Sequence, residues 1–354
     1  MKETPLRRVM KIVAVTSVAA LALAACGSSD DTSSSGSTSS STKSALKVGL
    51  AYDIGGRGDQ SFNDAAAAGL DKAKSDLGVT AQEAEATTGE SESAKEDRLR
   101  TLAQAGYNPV VAVGFAYAGA VDKVAAEFPD AKFAIVDSAK GDKTPANVTS
   151  LLFAENEGSY LVGVIAAKKS KSGNIGFIGG VQVPLIQKFE AGYVAGAKSV
   201  NPDIKIQVKY LTQPPDFSGF SDPAKGKTAA QGQLDAGADV IYAAAGGSGG
   251  GVFEACKAAG ASAIGVDSDQ ALTADASVRD VIISSMLKKV DVAVFDFIKA
   301  NQDGTVKGGD QVYDLKKGGV DYATTGGHVD DIKADVDKAK QDIIDGKITV
   351  PTTP

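Results

Sequence analysis

Three times in this chain an aspartate closes an apolar run: Tyr52-Asp53, Val136-Asp137 and Val266-Asp267. A carboxylate in that place can cap the next helix, accept charge-assisted hydrogen bonds from a ligand, or exchange a proton with one. Capping is the frequent use. Here the aspartates recur beside Gly114-Phe115, Gly179-Gly180 and Gly246-Gly247, other places where a strand stops, and that recurrence points to one shared site. The densest stretch is KVGLAYDIGGRGDQSFND, residues 47–64. Gly55, Gly56 and Gly58 allow a sharp turn with close approach of the backbone to a ligand. Asn63 and Asp64 follow at a helix start, whose free N–H groups face the carboxyl end of the strand. Phe62 stands among these capping residues, placed either to cover a flat ligand or to staple the turn.

The elements that must position these residues form a regular alternation. Apolar runs expected as strands are 47–52, 109–114, 132–137, 148–153, 174–179, 205–210, 239–244, 262–267 and 281–285. Helical segments are expected near 63–77, 93–105, 117–127, 157–169, 185–199, 223–236, 250–259, 287–300 and 330–345. Strands rich in Val and Ile, separated by helices, make parallel sheets covered on both faces. So many units exceed one small sheet, and the expected class is α/β with two doubly wound lobes. In such sheets the carboxyl ends of the strands line one edge, and two facing edges make a cleft.

The N-terminus is a different kind of segment. Lys2, Arg7, Arg8 and Lys11 precede an apolar run from Ile12 to Ala25, and Cys26 follows directly. The run is short for a membrane span and has the layout of a secretory signal over residues 1–25. Leu23-Ala24-Ala25-Cys26 resembles the bacterial lipobox, which implies lipidation of Cys26. Residues 26–45 are mostly Ser, Thr, Gly and Asp, with no apolar face to bury, and are expected to be a tether. The expected location is the outer face of the cell membrane, held by lipid rather than by a span. Removal of residues 1–25, with four basic residues and one acidic, takes the formal charge from −7 to −10. An acidic surface repels phosphate backbones, which argues against nucleic acid as a partner. Beyond Cys26 the only cysteine is Cys256, so neither a disulfide framework nor a thiolate metal cluster is expected.

Beyond this pattern, a set of ordered motifs runs from about residue 46 to the C-terminus. They are YDIGGRGDQSFND, ENEGSYLVGVIAA at 155–167, GFIGGVQVPLIQKFEAGYVAGAKSVNP at 176–202, DPAKGK at 222–227, AAGGSGGGVFEA at 244–255 and IGVDSDQ at 264–270. Together they resemble the BMP (basic membrane protein) lipoproteins, a family that includes the purine nucleoside receptors of ABC importers. The resemblance implies a type I periplasmic-binding-protein fold with two Rossmann-like lobes, a multi-crossing hinge and a nucleoside enclosed between the lobes. It implies a first lobe of 46–153 plus about 284–310, and a second of 154–283 plus about 311–354. Carried over by motif, Asp53, Phe62, Asn63, Asp64 and Asp137 are the first-lobe binding residues. Phe189 covers the other face of the base, Gly246 and Gly247 form a turn beside the ligand, and Asp267 and Lys288 hold the ribose. The implied partners are a nucleoside and the permease and ATPase subunits, with the receptor a monomer and without cofactor or metal. Two departures stand out: residues 213–221, QPPDFSGFS, look inserted at the cleft edge, and the chain is acidic where the family name says basic.

Other motifs carry less. Gly226-Lys227-Thr228 imitates the end of a phosphate-binding loop, but Ser221 stands where that loop needs glycine. The glycine run at 246–251 is followed by Val252, so it lacks the last glycine of a dinucleotide fingerprint. His328 is the only histidine, which excludes a multi-histidine metal site or a histidine-dependent triad. Glu155 and Glu157 read as helix-start acids, and Cys256 as a core residue. The sequence therefore reads as a lipid-anchored solute receptor for nucleosides, purine nucleosides in particular, that binds without catalysis. The rivals are a sugar or other small-solute receptor of the same fold, a nucleoside-cleaving enzyme using Asp53, Asp64 and Asp137, and a nucleoside sensor.

Overall fold

The computed structural model describes residues 45–354; the signal segment, Cys26 and the tether through residue 44 lie outside the described residues. Strands β1 (Lys47–Ala51), β2 (Thr80–Ala84), β3 (Val110–Ala112), β4 (Phe133–Val136) and β5 (Val148–Phe153) come first along the chain. They alternate with α1 (Phe62–Leu77), α2 (Glu92–Gln104) and α3 (Ala118–Glu127). The second series is α4 (Glu155–Lys169), β6 (Asn174–Val181), α5 (Pro184–Val200), β7 (Lys205–Thr212), α6 (Pro223–Asp235), β8 (Val240–Ala244) and α7 (Gly249–Ala259). It continues with β9 (Ser262–Asp267), the single turn α8 (Gln270–Thr273) and β10 (Ile282–Lys288). The chain then passes through α9 (Val290–Asp303), β11 (Gly309–Tyr313), β12 (Val320–Tyr322) and α10 (Lys333–Ile344).

The strands form two six-stranded sheets of matching order, β2-β1-β3-β4-β5-β11 and β7-β6-β8-β9-β10-β12. Every pairing is parallel except β10 with β12. Central strands such as β4, β6 and β8 are buried along their whole length, as expected for apolar strands covered on both faces. Cys256 is buried in α7, its thiol pushed up to about 12 by burial.

Crossings between the lobes fall where strands end: after β5 at Ala154, after β10 at Lys289, and between β11 and β12. They are stitched together. Ala154 N–H donates to the Tyr313 carbonyl at 3.0 Å and Lys289 N–H to the Gly319 carbonyl at 2.9 Å. Leu315 N–H donates to Glu157 Oε2 at 2.9 Å, so this helix-start acid also ties the hinge. The lobe boundaries expected near residues 284 and 310 shift accordingly. β10 stays in the second sheet through Lys288, and β11 stays in the first through Tyr313. α9 packs on α1 of the first lobe.

Candidate ligand-binding cleft

The carboxyl ends of both sheets face one shared cavity. Eight of the ten expected residues line it: Asp53, Phe62, Asn63, Asp137, Phe189, Gly246, Asp267 and Lys288. Asp64 and Gly247 do not.

The first-lobe turn shows why. Gly55, Gly56 and Gly58 have φ of 101°, 62° and 104°, in the region that glycine enters without steric cost. Asp59, which the sequence reading passed over, caps α1: its Oδ1 accepts from Ser61 N–H at 2.9 Å and Asp64 N–H at 3.1 Å. Its Oδ2 accepts from Asn63 N–H at 2.9 Å. Asn63 Nδ2 also donates to Asp59 at 3.0 Å, while Asn63 Oδ1 accepts from Asp53 N–H at 2.9 Å. Asp64 accepts from Gly58 N–H at 2.6 Å and Gln60 N–H at 3.0 Å. Asn63 and Asp64 are thus committed to shaping the loop. Asp53 is the turn's open polar group: Oδ1 accepts from Ile54 N–H at 2.8 Å, and Oδ2 has no donor among the described residues. Burial pushes its carboxyl up to about 7.

Across the cavity, one ammonium serves several acids. Lys288, at the end of β10, donates to Asp137 Oδ2 at 2.5 Å and lies 3.4 Å from Glu155 Oε1, with all three side chains almost fully buried. Glu155 also meets Lys188 at 3.4 Å, so it does more than decorate the start of α4. Burial pulls Lys288 down, yet Asp137, Glu155 and Asp267 together hold its ammonium above the ordinary lysine value. Burial pushes Asp137 and Asp267 up to about 6 against the pull of Lys288. The centre holds more buried negative charge than its cation offsets, and Asp137 Oδ1 is buried without a partner. Such an atom is costly unless a ligand donor meets it. Asp137 and Asp267 also have left-handed backbones, φ 67° and 62°, a conformation that non-glycine residues keep mainly where surrounding structure imposes it.

Aromatic rings complete the walls. Lys288 Nζ lies 5.1 Å from the Phe62 ring centre and 5.5 Å from that of Phe189, which brings both rings to one end of the cavity. The segment 213–221 does reach the cleft edge. Phe217 and Phe220 set their rings edge-on to Phe115 of the first lobe, at 5.9 and 6.5 Å between centres. Phe115 and Phe220 line the cavity but were not among the expected site residues. For Phe115 the available signal was its place at a strand end; for Phe220, its place in the inserted segment. Gly246 turns with φ 54° and leaves no room for a Cβ, which would stand 2.9 Å from the Phe220 carbonyl. Gly247 faces that carbonyl from farther off, at 3.6 Å.

The lobes are drawn together at the mouth. Ser61 Oγ donates to Asp267 Oδ2 at 2.6 Å, and Ser268 Oγ donates to the Ser61 carbonyl at 3.1 Å. The Gln60 carbonyl accepts from Gln270 Nε2 at 3.1 Å and Thr273 Oγ1 at 3.2 Å. These bonds describe a closed cleft.

Known proteins resemble this chain in sequence and fold. Residues 45–353 match the model of the family described as ABC transporter substrate-binding protein PnrA-like. The ABC transporter nucleoside-binding protein BmpA of Lactococcus lactis is 39% identical, over 98% of this chain and 99% of its own length. An uncharacterised lipoprotein of Pyrococcus abyssi is 39% identical over 78% of this chain and 69% of its own. Among solved structures, a solute-binding protein of an ABC transporter system from Aeropyrum pernix superposes with a TM-score of 0.76 at 31% identity. It covers 87% of this chain and 93% of its own. The two lobes thus have the type I periplasmic-binding-protein architecture, and the chain belongs to the PnrA-like family of ABC transporter substrate-binding proteins.

Proposed function

We propose that the protein is a lipid-anchored receptor that delivers nucleosides, purine nucleosides above all, to an ABC importer. The observation that carries this reading is the pairing of two kinds of wall in one cavity. Phe62 and Phe189 offer apolar faces, while Lys288, Asp137 and Asp267 form a charged centre with an unsatisfied carboxylate oxygen. A purine fits the first and the hydroxyls of a ribose fit the second. Base–aromatic stacking contributes ~1–3 kcal/mol per base, and hydrogen bonds to charged groups ~1.5–3 kcal/mol each. The nucleoside-binding relative from Lactococcus supports the substrate class. Leu23-Ala24-Ala25-Cys26 and the relative named a lipoprotein support the anchor.

Native mass spectrometry of the purified protein, followed by calorimetry with guanosine, inosine, adenosine and a pentose, tests this reading. A bound nucleoside and tighter binding of nucleosides than of the pentose are expected; preference for a free sugar overturns it. Chromatography after prolonged incubation with inosine separates receptor from enzyme. Intact inosine is the expected result, and free hypoxanthine would show cleavage.

A further inference from the structure

Away from the hinge the lobes meet in two kinds of contact. The bonds of Gln60 and Ser61 to the second lobe are polar. The other contact is made of rings, and it belongs to residues 213–221. They follow β7, the strand at the end of the second sheet farthest from β10 and β12, where the crossings lie. The segment is fastened to its own lobe along its length. Gln213 Nε2 donates to Gln182 Oε1 at 2.7 Å, and Thr212 Oγ1 to the Asp216 carbonyl at 2.7 Å. Ser218 N–H donates to Asp216 Oδ1 at 2.9 Å. Ser248 Oγ donates to the Gly219 carbonyl at 2.8 Å and accepts from Asp222 N–H at 2.7 Å. A Cβ on Gly219 would stand 2.0 Å from the Gly180 carbonyl oxygen, so the backbone lies directly against β6. Pro214 and Pro215 restrict the chain further, since each ring fixes its own φ. Among the described residues, none of the segment's hydrogen bonds reaches the first lobe. Its rings do: Phe217 stands 5.9 Å from Phe115 with the planes at 66°, and Phe220 6.5 Å from it at 74°. Phe115 and Phe220 line the cavity, whereas Phe217 does not.

We propose that residues 213–221 form a strap that governs ligand release, with Phe217 as its clasp. The ring closes on Phe115 across the cleft and slows the ligand's escape without touching it. Opening of two lobes is a rotation about their crossings, so the parts farthest from the crossings move most. The strap stands at that far end of the second sheet. Its bonds hold it to the second lobe, so it cannot follow the first, and opening must part Phe217 from Phe115. Edge-on rings attract each other beyond the area they bury, and parting them returns apolar surface to water. The polar groups at Ser61 lose less on opening, because water takes the place of their partners. Entry passes through the open cleft, before the rings meet. The clasp therefore acts on the outward step.

This inference rests on the nucleoside reading only for its probes, guanosine and inosine. Stopped-flow mixing gives their association and dissociation rates with the wild type, Phe217→Leu and Phe217→Ala. Phe217→Ala should release both ligands ~3–10-fold faster, with association changed by less than about twofold. Phe217→Leu keeps apolar bulk without the ring's edge and should fall between. In a Phe115→Ala background, Phe217→Ala should add almost nothing, because the partner is already gone. A role of Phe217 confined to its own loop would persist there. An unchanged dissociation rate in Phe217→Ala, or an undiminished effect in the Phe115→Ala background, overturns the strap while leaving the receptor reading intact. Failure of the wild type to bind either nucleoside overturns the nucleoside reading instead. The strap is then judged without ligand, by the distance between nitroxide labels at Asp97→Cys on α2 and Lys227→Cys on α6, both exposed. Phe217→Ala should shift that distribution, and an unchanged distribution overturns the strap.

Discussion

Asp137 and Asp267 occupy the same place in the two lobes and have different partners. The first follows β4 and the second ends β9, strands that hold matching positions in sheets of matching order. Both have left-handed backbones. Asp137 is bonded to a lysine that belongs to the second sheet, and Asp267 to a serine at the head of the first lobe's leading helix. The repeated scaffold decides where a carboxylate can stand, and the partner from the opposite lobe decides what it does. Asp137 belongs to a clamp beside the hinge. Asp267 belongs to a contact at the mouth, which opening of the lobes should break first.

The sharpest way to break the comparison is to remove the lysine. Lys288→Met leaves Asp137 buried without its cation and Glu155 with Lys188 alone, and breaking a buried pair from one side costs ~3–5 kcal/mol. Thermal denaturation should show a large loss, with nucleoside binding lost as well. The sign with pH follows from Asp137, whose folded-state proton affinity lies above the unfolded value. The native state then binds more protons, so stability falls as pH rises from about 4 through the folded value. The variant should therefore recover part of its loss near pH 5, and a deficit that grows on acidification would contradict the clamp.

Asp267→Ala should spare the fold more and the ligand less. If its open oxygen accepts from a ribose hydroxyl, guanosine loses ~1.5–3 kcal/mol. The gap between guanosine and 2′-deoxyguanosine should also narrow. Calorimetry with both ligands decides the matter; an unchanged gap moves the ribose elsewhere in the cavity. Next in size come the rings, which should not distinguish sugars at all. Phe62→Ala and Phe189→Ala should each weaken every purine nucleoside by similar amounts, ~1–3 kcal/mol. A loss confined to one nucleoside would show that the ring does something other than stack.

The contrast also shows what the sequence makes legible. Asp53, Asp137 and Asp267 can be read because each ends an apolar run, and a parallel sheet puts all such ends along one edge. β2, with the sequence Thr80-Ala81-Gln82-Glu83-Ala84, is missed because a half-exposed edge strand needs no apolar run. β11 and β12 are short and sit at sheet edges, which also blurs the lobe boundaries. Asn63 and Asp64 look like ligand groups beside the glycine turn, but the turn leaves the backbone N–H groups of Asp53, Gly58 and Gln60 to be satisfied, and the two side chains are taken up there. Ser61 escapes notice for the opposite reason. Its partner is 206 residues away, and no local pattern announces a bond across a cleft.

Ser61 is therefore the subtlest test of the difference between clamp and mouth. Its hydroxyl donates to Asp267 Oδ2, its carbonyl accepts from Ser268, and the neighbouring Gln60 carbonyl accepts from Gln270 and Thr273. Ser61→Ala deletes only the first of these bonds. A typical net hydrogen bond is worth ~0.5–1.5 kcal/mol, so closure should weaken without being lost. Because a ligand that favours the closed state is drawn on by the closed population, a deficit of that size appears as a two- to tenfold rise in Kd, read equally by every nucleoside. It should lie in faster dissociation, since the bond forms after the ligand is already between the lobes. Stopped-flow release of guanosine measures that rate, and small-angle scattering at saturation reports whether the radius of gyration still contracts. Thermal stability without ligand supplies the contrast with Lys288→Met. A bond confined to the mouth should leave it nearly unchanged, whereas a loss comparable to that of the lysine variant would show that Asp267, like Asp137, belongs to the clamp.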